Sequence, residues 1–224
     1  MSEIPWIASA DTEQVADSIL RAAGASPRFM VAIAGPPGAG KSTLSAALLK
    51  VLQRRQAAAV VVPMDGFHFD DGVLIARGQR SRKGAAFTFD CAGFEVLLKR
   101  IRSREPDVAI PVFDRSLELS RAAAAVVDSA ARIVLVEGNY LLLNELPWTR
   151  LHELFDYRIF LDVPVDELQQ RLLKRIQSHG FTLEHAQSWL CGNDLPNIHH
   201  VLNCSIQPDL WIRSQPAMAD ARFS

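Results

Sequence analysis

The chain has 224 residues, enough to bury a full core as one domain or as one domain with an insertion. Hydrophobic residues make up 49% and charged residues 22%, and the net charge of −1 excludes an overall basic field for nucleic acid or an anionic membrane. No apolar run is long enough to cross a bilayer, the start MSEIPWIASADTEQ lacks a signal peptide's basic end and apolar core, and Cys91, Cys191 and Cys204 favour free thiols over disulfides or zinc, so the expected location is cytoplasmic.

Asp11 to Ala25 is expected to be a leading helix, with Val15, Ile19 and Ala22/Ala23 on one face and Gly24 as a stop signal. Phe29 to Ala34 is an uninterrupted apolar run, the pattern of a strand buried on both faces of a parallel sheet. It leads into Gly35-Pro36-Pro37-Gly38-Ala39-Gly40-Lys41-Ser42, which meets G-x-x-x-x-G-K-[ST] at every required position. Glycines let backbone N–H groups close on phosphate oxygens, Lys41 brings a cation to the outer phosphates, and the Ser42 hydroxyl is placed to hold Mg²⁺. From Thr43, helical apolar spacing (Leu44, Leu48, Leu49, Leu52) continues to about Arg55, so a helix N-terminus points at the same anion. A chance glycine turn would not need both the strand before and the helix after. The pattern is that of a nucleoside triphosphate site.

Ala59 to Val62 reads as a second buried strand, closed by Pro63-Met64-Asp65-Gly66. Between Phe67 and about Ala131 the pattern loosens into a basic loop (Arg77, Arg80, Arg82, Lys83), a helix near Phe94 to Arg102 and an extended piece at Ile110 to Phe113. Residues 66–131 are therefore expected to be a substrate-recognition insertion at the carboxyl edge of the sheet, where open α/β folds bind ligands. Arg132 to Glu137 reads as a third strand ended by Gly138, Trp148 to Phe155 as a short helix, and Tyr157 to Leu161 as a fourth strand. Pro164 opens a helix that carries Arg171, Lys174 and Arg175 and runs to Gly180. A helix over Leu183 to Leu190, a turn at Asn193 to Asn197, a last strand at Asp209 to Ile212 and a loose tail from Ser214 complete the expected order. Alternating strands and helices predict one α/β domain over residues 1–224, three layers around a mostly parallel five-stranded sheet.

Asp65 and Glu137 each follow a buried strand at the edge where the phosphate loop lies. Phosphoryl transfer needs charge on the transferring group, a metal and an oriented acceptor, so one carboxylate could take the acceptor proton and the other serve Mg²⁺. Each alone could instead cap a turn beside Gly66 or Gly138. Arg171, Lys174 and Arg175 crowd one side of their helix, either as a solvated face or as a lid (residues 164–191) closing over a triphosphate. The basic loop could meet an anionic substrate or simply be exposed. His68, His199 and His200 show no metal-ligand spacing and read as ordinary hydrogen-bonding side chains.

The segments GPPGAGKS, PMDGFHFD, RKGAAFTFD, IPVFDRSLE, VEGNYLLL and DVPVDELQQRLLKRI, in this order, resemble the uridine kinase, phosphoribulokinase and bacterial pantothenate kinase family of P-loop NTPase fold. The resemblance covers roughly Phe29 to Ile212. It implies ATP and Mg²⁺, with Asp65 as catalytic base, Ser42 and Glu137 serving the metal, and Lys41, Arg171 and Arg175 stabilising charge. It also implies nucleotide contacts from residues 35–43, Arg171, Arg175 and Asn197, the last in a segment (Asp194-Leu195-Pro196-Asn197) resembling one that packs near adenine. Phe67, His68, Lys83, Asp90, Phe113, Asp114, Arg115, Glu118 and Tyr140, with Asp65, fall where acceptor contacts are expected. Uridine kinases carry a tyrosine and a histidine in a Y-D-F-x-x-H segment, where this chain has Phe113, Asp114, Arg115 and Glu118. Ser178 stands where a further lid arginine is expected. The M-D-G-F-H and V-E-G-N-Y-L-L-L wording is most similar to a bacterial subgroup named as fructose-transport-system kinases, or fructokinases.

The expected activity is transfer of the γ-phosphate of ATP to a hydroxyl of a small metabolite, a sugar ahead of a nucleoside or pantothenate. A nucleotide-gated regulatory switch is the reading from another class, although the chain lacks N-K-x-D and L-S-G-G-Q segments. Monomer and homodimer both stay open.

Overall fold

The computed structural model describes residues 6–8, 11–178 and 180–213. The tail from Ser214 lies outside them. Strand β2 (Phe29–Ala34) is the centre of the molecule, with all six residues buried. It pairs in parallel with β6 (Ile133–Gly138) on one side and β7 (Tyr157–Asp162) on the other. Beyond β6 lies β3 (Ala59–Pro63), and beyond β7 lie β8 (Leu210–Arg213) and β1 (Trp6–Ala8), all parallel. The sheet thus has six strands, the five expected plus the three-residue edge strand β1. Continuous apolar runs form the central strands because both faces are covered.

One face carries α1 (Thr12–Ala23) and α2 (Lys41–Arg54). Helix α1 starts where the Asp11 carboxylate accepts from the Gln14 N–H at 2.9 Å and stops at Gly24. Its Val15 and Ile19 pack with Leu44, Leu48 and Leu52 of α2, and with Leu168 and Leu172 of α5 (Val165–Ser178), against Val31 and Ile33. On the opposite face, Phe94, Leu98 and Ile101 of α4 (Cys91–Arg102) join Tyr140, Trp148 and Leu151 over Met30, Val134 and Val136. Among the described residues, no helix is long and apolar enough to cross a membrane.

The section between β3 and β6 holds α3 (Asp71–Ala76), α4 and an antiparallel hairpin, β4 (Val108–Asp114) with β5 (Leu119–Val127). The hairpin backbone comes so close to the turn after β3 that a Cβ on Gly66 would sit 2.3 Å from the Pro111 carbonyl oxygen. Glycine is required there, because any side chain would push the hairpin away from Asp65. The turn expected at Asn193 to Asn197 is instead helical. After α6 (Leu183–Trp189) a wide helical turn, Leu190–Asp194, passes directly into α7 (Leu195–Cys204). Pro196 stands in the first turn of α7, where its fixed φ suits the helix.

Candidate active site

Register brings the chemistry together. Ala34, the last residue of β2, pairs with Gly138, and Pro63, the last of β3, pairs with Glu137. The phosphate loop, Asp65 and Glu137 therefore leave the sheet at one edge. They line a cleft of about 850 Å³ together with Arg115 of the hairpin tip, Arg171 and Arg175 of α5, and Asn197 of α7.

Gly40 ends the loop in the left-handed region (φ 95°), which a non-glycine residue rarely adopts, and α2 begins at Lys41. The Lys41 ammonium is buried and donates to the Pro36 carbonyl at 3.0 Å. Burial pushes its pKa down to about 8, against the opposing pull of Glu137 and Asp65. The Ser42 hydroxyl donates to Glu137 Oε1 at 3.0 Å. Burial, reinforced by the Asp65 charge, raises the Glu137 pKa, while Lys41 and the Ser42 bond pull it back. Arg115 donates to Asp65 Oδ2 at 3.0 Å, so the aspartate is held by the hairpin that arches over it. Arg171 reaches the Gly38 and Ala39 carbonyls at 3.3 and 3.4 Å and pairs with Glu167, latching α5 onto the phosphate loop.

One wall of the cleft carries His68 and Phe113, whose rings lie 4.9 Å apart. Imidazole Nδ1 of His68 faces the Asp65 carbonyl at 2.8 Å, and burial lowers its pKa, so the ring is neutral with Nε2 free to accept. Lys83 is buried, donating to Asp71 at 2.7 Å and to the Glu118 carbonyl at 2.8 Å. Arg82 donates to Asn193 and Asn197 side-chain oxygens, both at 3.1 Å, and Asn193 donates to the Lys83 carbonyl at 2.8 Å. Arg82 and Lys83 of the basic loop are thus braced between α3, the hairpin and α7, Arg80 pairs with Asp71 while lining the cleft, and Arg77 is exposed, as expected of such a loop.

Of the expected site residues, Pro37, Gly38, Gly40, Lys41, Ser42, Thr43, Asp65, His68, Lys83, Phe113, Arg115, Glu118, Glu137, Arg171, Arg175 and Asn197 line the cleft. Gly35, Pro36 and Ala39 shape the loop without lining it, and Lys174 is exposed outside it. Four others are spent on structure. Asp90 caps α4 by accepting from the Gly93 N–H at 2.9 Å, and Asp114 accepts from the Ser116 N–H and hydroxyl in the hairpin turn. Tyr140 is fully buried with its hydroxyl on the Gly84 carbonyl, and Phe67 packs on Phe94. Residue-by-residue reading passed over Asn139, Trp189, Asn193 and the stacked pair Phe181 and His185, all of which line the cleft. For Asn139 the signal was its place directly after Glu137-Gly138. Phe181 lies just before α6, His185 and Trp189 on it and Asn193 in the wide turn after it, a stretch with no motif of its own.

The phosphoribulokinase / uridine kinase family is matched over residues 30–217. The chain is 35% identical to the uncharacterized protein YggC of Escherichia coli, over 83% of this chain and 77% of that one. It is 34% identical to a provisionally named uridine kinase of Schizosaccharomyces pombe, over 83% of each. A solved structure from Silicibacter sp. TM1040, provisionally named a fructose transport system kinase, superposes with a TM-score of 0.86 at 38% identity, over 89% of this chain and 98% of that one. With its phosphate loop and two acids at one sheet edge, the chain belongs to the phosphoribulokinase / uridine kinase family of kinases, phosphotransferases whose acceptor is a hydroxyl of a small molecule.

Proposed function

We propose that the protein transfers the γ-phosphate of ATP to a sugar hydroxyl, with Asp65 as the base. The observation that carries this is the convergence of Lys41, Ser42, Asp65 and Glu137 on one cleft. The Ser42 hydroxyl and the Glu137 carboxylate, 3.0 Å apart, are hard oxygen donors of the kind Mg²⁺ takes, so the residues fit that ion. Bound there, Mg²⁺ would neutralise phosphate charge. Lys41 binds the outer phosphates, and Arg171 and Arg175 close the cleft from α5 and oppose charge on the transferring group. Phe181, His185 and Trp189 offer flat surfaces on which an adenine could stack.

Asp65 accepts the proton of the attacking hydroxyl and hands it to solvent once the hydroxyl has moved on. The sugar reading is supported by the mixed character of the acceptor wall. Asp65, the neutral His68, Arg115 and Glu118 offer both donors and acceptors, as a polyol demands, and the cation of Lys83 is already paired with Asp71. The 38% identity to the Silicibacter protein supports the same substrate class. The three cysteines are free thiols, in keeping with a cytoplasmic setting.

ATP consumption and product mass should be followed with a panel of sugars, nucleosides, pantothenate and glycerate. Phosphorylation of a hexose is the expected result. A nucleoside or pantothenate product would overturn the sugar reading, and ATP turnover that no acceptor stimulates would favour the regulatory switch. Asp65→Asn should lose turnover by about a hundredfold or more while ATP still binds. Unchanged turnover would remove Asp65 as the base.

A further inference from the structure

Away from the cleft, the structure gathers three unlike ligand atoms. The carboxylate of Glu145, the imidazole of His200 and the sulfur of Cys204 place their ligand atoms within 4.8 Å of one another. We propose that these side chains bind one divalent transition-metal ion, with zinc best suited to the set and water in the fourth position. His200 and Cys204 stand four residues apart on α7, a spacing that puts them on one helix face. Glu145 comes from the loop after β6, and its two carboxylate oxygens meet His200 Nε2 at 2.9 and 3.0 Å.

Backbone bonds hold loop and helix end together. The Asn144 N–H donates to the Cys204 carbonyl at 2.7 Å, the Ile206 N–H donates to the Leu142 carbonyl at 2.8 Å, and Leu143 forms an antiparallel bridge with Ser205. The ligands are therefore pre-positioned, and little ordering entropy opposes binding. His200 and Cys204 are half-buried while Glu145 is exposed, which leaves a path for the ion. The Cys204 thiol donates to the Glu145 carboxylate that also meets His200, so a soft donor joins the carboxylate and the imidazole in one cluster. One oxygen, one nitrogen and one sulfur match neither the all-oxygen preference of magnesium and calcium nor an all-thiolate cluster. Metal entry must release the sulfur's proton, since the thiolate is the form that binds a metal. The bound ion would tie the loop that leads from Glu137 to the helix that carries Asn197.

Tag-free full-length protein, stripped with chelator, should be titrated with Zn²⁺ against a chromophoric competitor and separately with Co²⁺. One Zn²⁺ per chain is expected, with a dissociation constant below about 10 μM. Co²⁺ should give a thiolate-to-metal charge-transfer band in the near ultraviolet. Cys204→Ser should abolish that band, and both Cys204→Ser and His200→Gln should weaken Zn²⁺ by about tenfold or more. Cys191→Ser, which changes an exposed thiol elsewhere, should alter neither. Circular dichroism of each variant establishes that it is folded, and two independent ligand variants guard against one failing to fold. Absence of the band, its persistence in Cys204→Ser, or Zn²⁺ affinity that follows Ser42→Ala in place of these variants would overturn the proposal.

Discussion

Lys41 can be titrated as a reporter of the phosphate site. Its ammonium is buried at 8% exposure, and loss of water pushes its pKa from 10.5 down to about 8 despite the nearby acids. At about 1.4 kcal/mol per pKa unit, keeping that charge in the empty loop costs roughly 3 kcal/mol. A triphosphate supplies the missing counter-charge and should return the pKa towards 10.5. The free protein then loses the proton on passing pH 8 and the complex does not, so ATP affinity should fall by about thirtyfold between about pH 7 and about pH 9.5. Between about pH 7 and the phosphate ionisation near 6 both states are protonated and affinity should be flat. The nucleotide adds no slope of its own, because a phosphate's second ionisation lies near 6. Stability runs the opposite way: the unfolded lysine keeps 10.5, so the free protein loses stability as pH falls from about 10.5 to about 8 and no further below. Calorimetric titration of ATP across this range, in buffers of different ionisation heat, should show proton uptake at the alkaline end. Lys41→Arg keeps its charge throughout and should show neither slope nor uptake. A flat wild-type profile, or the same slope in the arginine variant, would refute the buried-ammonium account.

Asp194 is 7% exposed, its Oδ2 has no hydrogen-bond partner among the described residues, and burial raises its pKa to about 6 although Arg175 pulls it down. Its folded pKa lies above the unfolded value of 3.8, so the stability cost grows as pH rises from about 3.8 to about 6 and is complete above that. Asp194→Asn should therefore add up to about 3 kcal/mol at neutral pH and nothing near pH 4, read from urea unfolding; an equal gain at both would contradict this. Glu137→Gln keeps an acceptor for Ser42 but loses the charge, so half-saturation by Mg²⁺ should rise by about tenfold or more. An unshifted Mg²⁺ profile would take Glu137 out of metal binding. Phe94→Ala empties a fully buried site that packs on Phe67 and should cost about 3–5 kcal/mol in urea unfolding; a loss under about 1 kcal/mol would mean that α4 does not share the main core.

Burial on both faces made β2 and β6 legible, because it removes the alternation that a half-exposed strand would show. Asp65 and Glu137 were legible for a related reason: each follows such a run, and parallel strands end at a common edge. Strand β1 left no mark, since three residues take their order from pairing with β8, some two hundred positions away. Strand β5 was hidden by its composition. Its alanines are good helix formers and mostly exposed, so only the ladder to β4 makes them a strand. Asp90 and Asp114 show a different obstacle. An aspartate that caps a helix or closes a turn is, in a linear reading, the same letter as one that meets a substrate.

The cleft wall around His68 and Phe113 was the least legible part, because its geometry rests on contacts between distant positions. Lys83 is fixed by Asp71 and the Glu118 carbonyl, Arg82 by Asn193 and Asn197, and Asp65 by Arg115. Each of these pairs is between 12 and 115 residues apart, beyond the reach of any helical or strand period. The phosphate loop, by contrast, keeps all its groups within eight consecutive residues. A compact motif therefore declares the nucleotide site, while the wall that we propose meets the acceptor is spread over the hairpin, α3 and α7. Two chains with the same loop can take different hydroxyl substrates by changing how those three elements meet.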